Sequence, residues 1–141
     1  MKIMAVDLGD ARTGLAVCDK LEILASPLCV IKETDFNLII KKISNEIINN
    51  KIEEVVIGYP KNMNGSIGER AKKSELLADE LKKIVPEVSI KLWDERNTTR
   101  SATIFLNQTN TRGAKRKKII DSVAATIILE SYINFKKQNL K

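Results

Sequence analysis

The chain has 141 residues, of which 43% are hydrophobic and 30% charged, and its net charge is +6. That length predicts one domain spanning 1–141, with a core that must be aliphatic because aromatics are only 4%. There is no histidine, which excludes Ser-His-Asp and Cys-His catalysis, histidine metal ligands and a histidine general base. Any catalysis then falls to carboxylates, Lys, Tyr, Cys, Ser or Thr, or to a metal held by oxygen.

The first predicted strand is Ile3–Leu8, followed by a tight turn at Gly9–Arg12 and a second strand at Thr13–Cys18. A third runs over Ile23–Ile31, where Pro27 predicts an edge or bulge position. Short connections make these three an antiparallel meander. Asp35 is placed to cap a helix whose apolar face is Phe36, Ile39, Ile40, Ile43 and Ile47. Glu54–Gly58 reads as a continuously apolar strand, central and parallel to the first. A Gly/Asn-rich loop at Asn62–Gly68 leads into a second helix from Glu69 to about Val85, with Leu77, Ala78, Leu81, Ile84 and Val85 inward. Pro86 stops it. Ser89–Trp93 is the last strand, Thr98 opens a further helix, Gln108–Lys118 reads as a mobile basic loop, and Ile119 to about Phe135 is the final helix. The order predicts an α/β fold, a five-stranded mixed sheet of three antiparallel strands then parallel strands, with helices on both faces.

Lys2 leads directly into the first strand, and no apolar run is long enough to span a bilayer, so the expected location is the cytoplasm. Cys18 and Cys29 lie in apolar strands and read as buried free thiols.

Acids stand at three places in the chain that call for an explanation. Asp7 sits inside an apolar strand, where an unpaired carboxylate costs several kcal/mol, about what changes its protonation. Asp94 and Glu95 end the last strand, on the side of an open α/β sheet where ligands bind. Asp121 shares the stripe of Ala124, Ala125, Ile128 and Tyr132 in the final helix. Asp94 alone has an ordinary explanation as a cap or a solvated strand end, and Asp121 as a partner of the helix dipole. Together the acids can converge at one sheet edge, where clustered carboxylates stay ionised only around a cation. Mg²⁺ or Mn²⁺ suits such oxygen ligands, and two such ions promote phosphodiester cleavage.

In order and spacing, "AVDLGDARTGLAVCD", "GYPKNMNGSIGERA", "DERNTT" and "KRKKIIDSVAATIILESYI" resemble the YqgF/RuvX family over essentially the whole chain. The resemblance implies an RNase H-like fold related to RuvC resolvases. It also implies a nuclease that matures the precursor of small-subunit ribosomal RNA, or one that resolves Holliday junctions. Carried over position by position, the family's acids fall on Asp7, Glu95 and Asp121, with Asp94 as a further metal ligand. Asn97 departs from the family, which places an apolar residue there, and this bears on packing and not on the acids.

Arg12 beside the acids is a phosphate contact or an ion-pair partner of the site. Gly58, Pro60, Gly65 and Gly68 match a glycine loop that lets backbone N–H groups reach a phosphodiester. Arg96, Thr98 and Thr99 follow the second acid at a predicted helix start, where they bind an anion or simply cap. Arg112, Lys115, Arg116, Lys117 and Lys118 concentrate charge just before Asp121 and are expected to touch a nucleic-acid backbone.

The leading expectation is thus an endonuclease using Mg²⁺ or Mn²⁺ on structured RNA or branched DNA, as a monomer or homodimer. The alternatives are a Holliday-junction resolvase and a non-catalytic nucleic-acid-binding assembly factor. An actin-like ATPase is a weaker reading of "DLGDARTGLAV", because such proteins enclose nucleotide between two domains of this kind.

Overall fold

The computed structural model describes residues 1–60, 68–94 and 113–139, with side chains of the last stretch from 123 to 138. Five strands form one sheet in the order β3-β2-β1-β4-β5: β1 Ile3–Asp7, β2 Arg12–Cys18, β3 Ala25–Lys32, β4 Glu54–Tyr59 and β5 Ser89–Asp94. β1 pairs antiparallel with β2 and β2 with β3, whereas β4 is parallel to β1 and β5 parallel to β4. The predicted sheet and the central place of β1 are therefore as observed. Pro27 lies on the edge strand, and the register slips there, from Leu15↔Cys29 to Ala16↔Pro27. A missing N–H is tolerated at such a bulge.

Helix α1 (Phe36–Asn49) starts where the Asp35 carboxylate accepts the backbone N–H groups of Asn37 and Leu38. Helix α2 (Glu69–Ile84) ends just ahead of Pro86. Both cover one face of the sheet. There Met4, Val6, Leu15, Val55, Ile57 and Ile90 meet Ile39, Ile43, Ile47, Leu77 and Leu81. Ile84 departs from the expected inward set: it is 48% exposed, whereas Val85 is buried as expected. The helix ends at Ile84, so the turn after it, and not the helical period, aims Val85 into the core.

Helix α3 (Gly113–Asn139) covers the other face alone among the described residues. Ala125, Ile128, Leu129, Tyr132 and Ile133 pack on Ile3, Ala5, Ala16, Cys18, Ala25, Val56 and Trp93. The small side chains on the sheet let this helix come close. The helix starts at Gly113, so residues 113–118 of the expected basic loop are helical. Lys and Arg are good helix formers, and a run of them continues a helix that charge repulsion alone does not break. Cys18 is buried and Cys29 partly so, both as free thiols.

Candidate active site

Strand pleating decides which acids share a face. On β1, Met4 and Val6 face α1 and α2, while Ile3 and Ala5 face α3. Asp7, two residues beyond Ala5, has the parity of the α3 face. It ends the central strand at the carboxyl end of the parallel set, where α/β sheets receive ligands.

Both lateral neighbours of Asp7 are glycines. Gly14 is its pairing partner on β2. Gly58 is its level neighbour on β4, one step beyond the Val6↔Ile57 pair. With no side chain on either flank, the carboxylate stands in a notch in the sheet. Gly58 is thus a strand residue and not part of a glycine loop. It opens the notch by lacking a side chain, and a bulky residue there would close it.

Arg12 begins β2 with the parity of Ala16 and Cys18, which face α3. It is the diagonal neighbour of Asp7 on that face, a separation of about 7–8 Å between backbones. Its Nη1 is buried and has no hydrogen-bond partner among the described residues. A buried guanidinium nitrogen without an acceptor costs about 1–3 kcal/mol or more and suits an anion. The turn between them is tight: a Cβ on Gly9 would lie 2.2 Å from the carbonyl oxygen of Arg12, so only glycine fits.

Asp94 ends β5 at the same sheet edge, two strands from Asp7. It pairs with Tyr59, whose hydroxyl donates to Glu75 of α2, while the preceding Trp93 packs under α3. Asp94 therefore has the parity of the α2 face, opposite to that of Asp7. Glu95, Gly65, Arg96, Asn97, Thr98, Thr99 and Arg112 lie outside the described residues.

Asp121 belongs to α3, one turn before the buried Ala125. The helix runs antiparallel to β1, because Tyr132 reaches Glu54 and Lys136 reaches Glu22, both at the start of the parallel strands or beside it. Glu54 is level with Ile3. Counting back from Tyr132 to Asp121 covers about 16 Å of helix, and Ile3 to Asp7 about 13 Å of strand. The Asp121 position on α3 thus comes to the end of the sheet that carries Asp7. Lys115, Arg116, Lys117 and Lys118 occupy the turns of α3 before it.

The opposite end of the same face holds a cluster that sequence reasoning missed. Glu54 is 4% exposed; the Tyr132 hydroxyl donates to it at 2.5 Å, Lys91 Nζ lies 3.5 Å away and Lys136 Nζ 4.0 Å. Burial, and then the bond to Glu54, push the Tyr132 hydroxyl well above its ordinary range. A Tyr on an otherwise apolar helical stripe was the available signal, since a buried phenol needs an acceptor.

A family model described as "Holliday junction resolvase", RuvX, matches residues 1–135. The chain belongs to the RuvX family. Among RuvX relatives, the "Putative pre-16S rRNA nuclease" of Carboxydothermus hydrogenoformans is 40% identical over 139 residues, covering 99% of this chain and 100% of the relative. The protein of the same name from Halothermothrix orenii is 39% identical and covers 98% of both chains. In fold, this RuvX chain resembles Thermus thermophilus RuvC, with a TM-score of 0.60 at 14% identity over 96% of this chain and 97% of that one. It also resembles the Fowlpox virus resolvase solved with Holliday junction DNA, with a TM-score of 0.57 at 14% identity over the whole of both chains. These likenesses establish the RNase H-like fold expected from the sequence.

Proposed function

We propose that this chain is an endonuclease dependent on Mg²⁺ or Mn²⁺ that cleaves structured nucleic acid, with the precursor of small-subunit ribosomal RNA as its substrate. Asp7, Glu95 and Asp121 are its catalytic carboxylates. The observation that carries this reading is the notch: an acid at the ligand end of the central strand, with Gly14 and Gly58 beside it, below the helix that bears Asp121. The relatives' printed name, shared at about 40% identity across the full length, supports the ribosomal substrate.

The donor set fits a hard divalent ion. The acids supply oxygen, the chain has no histidine, and the buried thiol Cys18 sits at the other end of β2, bonded to Ile3 and Met1. Bound there, such an ion would supply Lewis-acid stabilisation of the phosphodiester and would ease deprotonation of a water to the nucleophilic hydroxide. Asp7, Glu95 and Asp121 would hold the ion. Asp7 is anchored by the β1–β2 ladder, so its carboxylate is presented without first ordering a loop. Arg12 donates from Nη1, which has no partner among the described residues, to a phosphate oxygen, fixing the backbone beside the acids. Lys115, Arg116 and Lys117 neutralise neighbouring phosphates.

The family description favours a second reading, a Holliday-junction resolvase. A cleavage panel separates the two: precursor ribosomal RNA and a four-way DNA junction, each with Mg²⁺, Mn²⁺ or chelator. Cleavage of the RNA, lost with chelator, is the expected result. Symmetric cleavage of the junction alone would make the protein a resolvase. Binding without cleavage of either would make it an assembly factor.

A further inference from the structure

We infer that Arg70 is a positioning residue for Asp7, acting by gripping the backbone that follows it. This inference rests on the reading that Asp7 holds a divalent ion. The β1 ladder stops at the acid: pairing with β2 ends at Asp7↔Gly14 and pairing with β4 at Val6↔Ile57. Leu8 therefore has no strand partner on either side. Its carbonyl is instead taken by Arg70, whose Nη2 donates to it at 3.3 Å across a separation of 62 residues. The bond is charge-assisted and partly buried, so it resists water better than an exposed one.

Two more contacts bound the same loop. Gly9 packs against the Arg12 carbonyl at a distance that admits no Cβ. Lys73 Nζ lies 3.7 Å from Asp10 Oδ1, but these side chains are 54% and 80% exposed, so that pair holds little. Arg70 is thus the grip on the Leu8 carbonyl that the ladder no longer provides. It stands in the first turn of α2, two residues after Gly68, so it also ties the start of that helix to the "AVDLGD" motif. Metal ligands must stay within about 0.5 Å of productive geometry, and outer contacts that hold them matter accordingly. The buried helix face, Leu77, Ala78 and Leu81, anchors α2 without Arg70, so the arginine is not needed to dock the helix.

The test compares the wild-type chain with Arg70→Ala, Arg70→Lys and Lys73→Ala. Three quantities are read for each: the Mn²⁺ concentration that half-saturates thermal stabilisation, the Mn²⁺ concentration for half-maximal cleavage, and nucleic-acid affinity in chelator. In Arg70→Ala both Mn²⁺ half-points should rise about tenfold or more, while affinity in chelator stays within about twofold. Arg70→Lys, which keeps a charged donor, should recover part of the loss, and Lys73→Ala should match wild type. Unchanged Mn²⁺ half-points in Arg70→Ala would overturn the inference. So would a fall in affinity alone, which would make Arg70 a phosphate contact. If Arg70→Ala does not fold, Arg70→Lys and Arg70→Gln decide by the same half-points. A wild-type chain that binds Mn²⁺ without cleaving defeats the proposed function but leaves the grip testable by thermal stabilisation. A chain that shows no Mn²⁺ response defeats both.

Discussion

Glu54 and Asp7 stand on the same face of the sheet, at opposite ends of adjacent parallel strands. Glu54 is surrounded by this chain's own donors: a tyrosine hydroxyl and two lysines, under the aromatic pair Trp93–Tyr132. Asp7 has a glycine on each side and an arginine nitrogen nearby that nothing described accepts from. An acid in a strand is thus not in itself a sign of chemistry. The sign is an acid at the ligand end of the strands, with space left beside it. Glu54 fills its end of the α3 face with this chain's own polar contacts, whereas Asp7, at the other end, has a glycine on each flank.

The largest effect is expected at the open end. Asp7→Asn should lower Mn²⁺-dependent cleavage by at least about 100-fold, because removing a ligand costs more than removing the groups behind it. Unfolding in urea should change little. Glu54→Gln should do the reverse, leaving the cleavage rate within about twofold and lowering stability by about 1–3 kcal/mol. Equal cleavage loss in both variants would erase the distinction between the two ends.

Tyr132 sharpens the comparison through pH. Its hydroxyl is held above its ordinary value of 10.0, first by burial and then by Glu54. A raised group contributes stability in its protonated form. That contribution is whole below pH 10 and fades as pH climbs beyond it, through the folded-state value. Tyr132→Phe should therefore lose about 1 kcal/mol at neutral pH and show a flatter decline on the alkaline side, both measured by urea unfolding. A decline as steep as wild type would place the alkaline weakness elsewhere.

Most of the sheet was legible from the sequence, because β1 and β4 are buried on both faces and read as continuous apolar runs ending in glycine or acid. The apolar stripe of α1 and the Asp35 cap were equally plain, since helical period and capping chemistry are local. Ile84 was misread because period alone does not say where a helix stops being a helix. The start of α3 departs from expectation for a related reason: "RGAKRKK" has the charge of a solvated loop and the propensity of a helix, and propensity prevails. The Gly14–Asp7–Gly58 notch was not legible at all. Asp7 and Gly58 are 51 positions apart, and only the parallel pairing of β1 with β4 brings them level.

The helical start of α3 changes what its cations are expected to do. Lys115, Arg116 and Lys117 are consecutive, so a helix spreads them around its axis by about 100° each, and they cannot all face one phosphate strand. Neutralising all three should weaken nucleic-acid binding and make its salt dependence shallower. The slope should fall by about one or two units, not the nearly three of a fully engaged loop. A salt titration of binding with and without the triple substitution measures this, and an unchanged slope would remove these residues from the interface.

The smallest effect is expected at Asp94, and it tests the pleat argument itself. Asp94 and Glu95 are adjacent, and both were candidate metal ligands from sequence. Asp94 has the parity of Tyr59 and the α2 face, while Asp7 has the parity of α3. A ligand set assembled around Asp7 has no use for a carboxylate on the reverse side of the sheet. Asp94→Asn should therefore leave the Mn²⁺ half-point and the cleavage rate within about twofold, with a stability change of about 0.5 kcal/mol. Glu95→Gln should match Asp7→Asn. If Asp94→Asn proves the more damaging of the two, the acids approach the ion from both faces around the sheet edge, and the notch is only half of the site.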